Sequence, residues 1–166
     1  MLPVVIETLV VGTPPAPSVI VLRPVMDSEE NSGRVLPIWI GPTEAASIGM
    51  ALEGSRHKRP MTHDLFGSLL ASTNTKLDYI VINRVEGTTF YATLVIHQGD
   101  EVKNIDARPS DSIALAVHER VPMYVEEEVL DLASFPAAFS QLHAQDIEVE
   151  AFHDFIESVN PEDFKV

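Results

Sequence analysis

Cysteine is absent from all 166 residues. That excludes disulfides, thiolate metal sites and a cysteine nucleophile, and it leaves the compartment undetermined by redox chemistry. Positive charge is scarce. Eleven Lys and Arg stand against 25 Asp and Glu, for a net charge of −14. Nucleic-acid binders usually carry a basic footprint, because neutralising phosphates drives their affinity. The only basic run here is Arg56-His57-Lys58-Arg59. Tight, general binding of nucleic acid is therefore disfavoured, while weak binding with metal ions screening the phosphates stays open. Such a run can steer a phosphate backbone, but it is more often a solvated loop. Long apolar runs are also missing, and none is long enough to span a bilayer. The start, Met1-Leu2-Pro3-Val4-Val5-Ile6-Glu7, has no basic segment, and Glu7 interrupts it, so it reads as a strand and not as a signal peptide. No membrane association is expected, and the expected location is the cytoplasm. There is no glycine-rich phosphate loop and no regular alternation of strand and helix, which removes the nucleotide-binding folds that need them.

What is present is enough for a folded body. A chain of this length that is 45% hydrophobic suits one domain with a real core. Residues 2–11 are rich in β-branched types and read as a strand, and Val19 to Leu22 return as its hairpin partner after a proline-rich loop. Residues 27–33 form a polar loop. Val35 to Ile40 read as a third strand, with Trp39 on one of its faces. Pro37 within that strand marks an edge or a bulge. An edge strand invites pairing with a second copy, so a homo-oligomer, in the simplest case a dimer, is expected. Ala45, Ile48, Met50 and Leu52 give a helical stripe that Pro42 opens and Gly54 closes. Leu65, Phe66, Leu69 and Leu70 mark one face of a second helix, with Thr62 as its cap. Residues 77–85 and 88–96 alternate as strands around a turn at Glu86-Gly87, and Gly99-Asp100 turns the chain into a further strand from Val102 to Ala107. Pro109 opens a third helix with Ile113, Ala116 and Val117 facing inward, and Met123 to Val125 add a short strand.

Beyond that the pattern is helical and acidic, with Phe135, Phe139, Leu142, Phe152 and Phe155 as docking anchors. Residues 126–166 hold eleven acidic residues and one basic residue, Lys165, a net of −10. Residues 1–125 hold fourteen acidic and ten basic residues, a net of −4. The tail reads as helical surface that keeps the protein soluble rather than as a mimic of a phosphate backbone. The resulting expectation is an α+β fold: a mixed, largely antiparallel sheet packed with about three helices. Residues 1–129 form the body, and residues 130–166 form an acidic helical extension.

Three stretches carry the chemistry. They are Arg34-Val35-Leu36-Pro37-Ile38-Trp39-Ile40-Gly41-Pro42-Thr43-Glu44-Ala45, Arg59-Pro60-Met61-Thr62-His63-Asp64-Leu65 and Ile105-Asp106-Ala107-Arg108-Pro109-Ser110-Asp111-Ser112-Ile113-Ala114. Each passes from extended chain through a proline into a helical pattern. Helix starts expose unpaired N–H groups and partial positive charge, which attract anions, and three of them can share one cleft. In the second stretch, Asp64 can hold a divalent cation and His63 can act as base or ligand. Their ordinary roles are dipole complement and backbone hydrogen bonding. In the third, Asp106 and Arg108 are two apart on extended chain and should point to one side of the sheet, with Asp111 three residues on. A guanidinium between carboxylates can clamp a phosphate while a carboxylate carries a metal, or the same groups can form a structural network with Asp111 capping the helix. Glu44 reads mainly as a dipole complement. His57, His97, His118, His143 and His153 show no metal-ligand spacing and read as ordinary residues. Nothing marks a base for Ser110 or Ser112.

In their order and spacing the three stretches resemble the bifunctional nuclease family. The likeness runs from the first strands to about Val129. It continues more weakly through Phe152-His153-Asp154-Phe155-Ile156 and Pro161-Glu162-Asp163-Phe164-Lys165. The resemblance implies cleavage of both DNA and RNA with low sequence preference, each bound weakly as substrate. The residue roles come from chemistry alone. Asp64, Asp106 and Asp111 would hold Mg²⁺ or Mn²⁺, Arg108 would stabilise charge on phosphoryl oxygens, and His63 would activate water. Arg59, Thr62 and Ser110 would contact substrate. The competing expectation is a non-enzymatic oligomeric module that binds an anion or metabolite at the three helix starts.

Overall fold

The computed structural model describes residues 1–12, 17–25, 33–54 and 58–136. Three short strands lead: β1 (Leu2–Val10), β2 (Ser18–Pro24) and β3 (Arg34–Ile40). Two helices follow, α1 (Pro42–Leu52) and α2 (Thr62–Ser72). A meander comes next: β4 (Thr75–Glu86), β5 (Thr89–Gln98) and β6 (Glu101–Ala107). Then come α3 (Pro109–Glu119), β7 (Met123–Val125), α4 (Glu127–Ala133) and β8 (Phe135–Pro136). The strands form one sheet in the order β6-β5-β4-β7-β1-β2-β3-β8. Only the β4–β7 pair is parallel, so the expected mixed, largely antiparallel α+β fold is what forms.

The meander turns sit where the sequence puts them. Glu86 pairs with Thr89 and Gln98 with Glu101, which leaves two-residue loops that begin at Gly87 (φ 57°) and Gly99 (φ 61°). Both glycines occupy the left-handed region that two-residue hairpin turns require. Strand alternation sends Ile20, Leu22, Leu36, Ile38, Ile80, Ile82, Ala92 and Leu94 to one face, where they join Ile48 of α1, Ile113 of α3, and Val129 and Leu130 of α4 in one core. Fully burying each Ile or Leu contributes about 1.5–3 kcal/mol by removing apolar surface from water.

Three details differ from the sequence reading. The residue capping α2 is Met61, with Thr62 the first helical residue. The cause is Asp64, whose Oδ2 accepts the Met61 N–H at 2.9 Å and closes the helix start one position earlier. Arg108 lies outside β6, as the residue preceding α3, so strand alternation does not fix its direction relative to Asp106. Phe135 joins strand β8 opposite Val35. Helix α4 runs across residues 129 and 130 and is pinned to β3 by Arg34, which donates to Ser134 at 2.8 Å and to Asp131 at 3.0 Å. Phe139, Leu142, Phe152 and Phe155 lie outside the described residues, as does most of the expected acidic extension. No helix among the described residues is long and apolar enough to cross a membrane.

Candidate functional site

The starts of α1, α2 and α3 meet. Proline opens α1 at Pro42 and α3 at Pro109, where its missing N–H costs nothing and its fixed φ favours the first helical residue. Arg108, just before α3, donates from Nε to Asp111 Oδ2 at 2.7 Å and from Nη2 to Asp111 Oδ1 at 3.0 Å. Its Nη1 donates to Glu44 Oε1 of α1 at 3.1 Å. One guanidinium thus ties two helix starts together. Gly41 makes room for this, since a Cβ there would run into the Glu44 carboxylate. The hydrogen bonds and charge of Asp111, then those of Glu44, hold the Arg108 guanidinium above its ordinary pKa, so it stays charged throughout the working range. The Arg108 side chain is 66% exposed, so its ion pairs add only about 0–1 kcal/mol each to stability. Its orientation matters more than its stabilising effect.

His63 joins α2 to both neighbours. Its Nδ1 lies 2.8 Å from Ser47 Oγ of α1, and its Nε2 lies 3.7 Å from Asp111 Oδ1 of α3. His118, near the end of α3, stands beside it. The two imidazoles are nearly parallel, at 20°, with centroids 6.1 Å apart. His118 Nδ1 lies 3.4 Å from Asp64 Oδ1. Each imidazole therefore has an acidic neighbour on the other helix: His63 has Asp111, and His118 has Asp64. Both rings are mostly covered, with side-chain exposures of 15% and 23%.

Of the residues singled out in the sequence, His63, Asp64, Arg108 and Asp111 are brought together. Asp106 is not among them. It pairs opposite Thr93 in the β5–β6 ladder and is exposed. Its neighbour Ala107 packs against the core, so alternation directs Asp106 to the opposite face of the sheet. Thr62 and Arg59 are exposed beside the start of α2, while Ser110 is buried at 7% exposure. Ser112 accounts for its hydroxyl locally, donating to the Arg108 carbonyl at 3.0 Å.

The sequence reading passed over His118 and Ser47, and it took Glu44 for a dipole complement. A signal for His118 did exist. It lies seven residues, or two helical turns, after Asp111, so the two share one face of α3.

The divalent ion expected from the sequence needs several carboxylates in one place. Asp64 and Asp111 are suitable hard oxygen donors. However, Asp111 has both oxygens on Arg108, Asp64 has one on the Met61 N–H, and Asp106 stands apart. Among the described residues, no three His, Asp or Glu are grouped so that they could hold a metal ion. The donors as arranged do not fit a metal centre.

On a mixed sheet, three helix starts, two of them opened by proline, converge on histidine, arginine and carboxylate. The bifunctional nuclease domain model matches residues 25–138, and the chain belongs to that family. Two uncharacterized proteins of Mycobacterium tuberculosis, one from each of two strains, are 42% identical to it over 142 residues. Each match covers 82% of this chain and 85% of the relative.

Proposed function

We propose that this chain cleaves nucleic-acid phosphodiester bonds with low sequence preference, at the junction of α1, α2 and α3. The observation that carries the reading is the placement of His63 within 3.7 Å of Asp111, the carboxylate that also orients Arg108. A titratable imidazole beside a positioned, exposed guanidinium can move a proton while a cation meets the phosphoryl oxygens. Family membership supports the same reaction class. The net charge of −14 supports weak and transient binding of substrate.

The test uses labelled single-stranded RNA and DNA, each incubated with the purified chain in Mg²⁺, Mn²⁺ or EDTA. Wild type should cleave at least one of them. Asp111→Ala, which releases Arg108 and removes the neighbour of His63, should cut the rate about 10–100-fold. Equal cleavage by both proteins would point to a contaminating nuclease.

One observation favours a second reading, a non-enzymatic module that binds an anion or metabolite and self-assembles. Glu44, Arg108 and Asp111 satisfy one another, as a purely structural clamp would. Beyond the two-residue β8, the outer edge of β3 from Leu36 to Ile40 has no pairing strand among the described residues. Trp39 there is 39% exposed. An edge of that kind suits pairing with a second copy. Saturable binding of inorganic phosphate without cleavage of either nucleic acid would select this reading.

A further inference from the structure

Ser47 has no role in the reading above, yet it is the one polar residue among the buried positions of α1, with Ala45 and Ile48. Helix formation does not require it. Alanine is the better helix former, and α1 already uses it at Ala45, Ala46 and Ala51. A hydroxyl taken out of water needs a partner. Among the described residues, the hydrogen-bond partner of the Ser47 hydroxyl is Nδ1 of His63 on α2, 2.8 Å away. Nε2 of the same ring lies 3.7 Å from Asp111, too far for a hydrogen bond. Ser47 thus supplies the hydrogen bond that orients the imidazole, and α3, against which both α1 and α2 pack, keeps the two helices in place. The kind of partner matters too. A hydroxyl both donates and accepts, so it can give its hydrogen to a bare Nδ1 or take the N–H of a protonated one. The bond therefore outlasts a change in the charge of the ring. A carboxylate, the partner that His97 has in Asp78 at 2.5 Å, can only accept when ionised.

We propose that Ser47 is a positioning residue: its hydroxyl holds the His63 imidazole by Nδ1 and reserves Nε2 for proton transfer at the phosphodiester. This rests on the phosphodiesterase reading and adds the group that aims its proton carrier. Ser47 touches no substrate and neither gains nor loses a proton over the reaction. Its 9% exposure limits competition from water for the bond. Without the hydroxyl, the His63 ring can turn about its side-chain torsions and present either nitrogen, or neither, to the phosphate. Misplacement of that kind is costly, because proton transfer needs the ring within hydrogen-bond reach of the reacting oxygen. The assignment holds for DNA and RNA alike, since no 2′-hydroxyl takes part. It also explains why serine stands on the buried face of α1, where alanine would serve the helix better.

The test compares Ser47→Ala and Ser47→Cys with wild type, each as the full chain, on labelled single-stranded RNA and DNA. Nuclear magnetic resonance of the histidine ring nitrogens accompanies the rates. Ser47→Ala should keep the wild-type circular dichroism, since alanine suits the helix. Its kcat should fall about tenfold or more while KM stays within about twofold of wild type. Ser47→Cys keeps a side chain of similar shape but hydrogen-bonds weakly, so it should fall likewise, and it carries the test if the alanine variant does not fold. In a double-variant cycle, Ser47→Ala should slow the residual reaction of His63→Gln no further, because the ring it positions is gone. The ¹⁵N signal of His63 Nδ1 should move in Ser47→Ala, while that of His97 Nδ1 stays. Wild-type rates in a folded Ser47 variant would overturn the inference and keep the phosphodiesterase reading. An equal loss from Ser47→Ala with and without His63→Gln, or an unmoved His63 signal, would do the same. Cleavage of neither nucleic acid by wild type would remove both.

Discussion

The two ends of α3 lie about three turns apart, yet they are built differently. Its start is exposed and tied by charge, with Arg108 bridging Glu44 and Asp111. Its far end carries His118, mostly covered, stacked near His63 of α2 and 3.4 Å from Asp64. Between them Ile113, Ala114, Leu115 and Ala116 are buried in the core. The buried middle fixes the helix as a rod. The rod then holds two polar groups at a spacing that neither end could set alone. The difference teaches that the candidate site lies along one face of α3 against the first turn of α2, and is not confined to a helix terminus. A site of that shape needs rigidity from burial and selectivity from pairing, and α3 supplies both.

Changes along α3 and its neighbours test that comparison. Ile113→Ala removes a fully buried side chain and should cost about 2–5 kcal/mol of stability, read by denaturant unfolding. Activity per folded molecule should fall along with stability if the buried middle sets the spacing. If activity is unchanged while stability drops, the rod argument fails. Glu44→Gln removes one of the two carboxylates that hold Arg108 and should reduce cleavage less than Asp111→Ala, by about tenfold or under, because Asp111 still grips the guanidinium. A larger loss for Glu44→Gln would move the centre of the site from α3 to α1.

Gly67→Ala probes the α2–α3 contact. A Cβ at that position would meet the Glu119 carboxylate, the far end of a flexible side chain that can swing aside. Alanine in a helix interior is favoured over glycine by about 1 kcal/mol, so the variant should be as stable as wild type or up to that much more stable. A loss above that amount would show that α2 and α3 are locked by Glu119. The smallest effect is expected from Asp106→Asn on the opposite face of the ladder, with cleavage within about twofold of wild type.

The sheet was legible in sequence because alternation and turn chemistry are local. Tyr79 and Val81 alternate across β4, and Gly87 and Gly99 permit the turns that pair it with β5 and β5 with β6. The helix starts were legible for the same reason, since Pro42 and Pro109 announce them. Much of the candidate site followed from that local reading: His63, Asp64, Arg108 and Asp111 lie within three residues of a proline or a cap. The rest did not. Ser47 lies inside a helix with no local mark, His118 is marked only by its two-turn spacing from Asp111, and tertiary packing of α1 and α3 on α2 brings both to His63. Asp106 went astray for a complementary reason. Arg108, two residues on, leaves the strand, and one residue of alternation decides which face of a sheet a side chain takes.

The central claim is that His63 and His118 share one site for nucleic acid. The most direct measurement is nuclear magnetic resonance of the six histidine side chains while a nuclease-resistant phosphorothioate oligonucleotide is titrated into the full chain. The signals of His63 and His118 should move together along one binding curve. His97, which pairs with Asp78 in another part of the fold, should stay still. Movement of His97 alone, or of His63 without His118, would contradict the account.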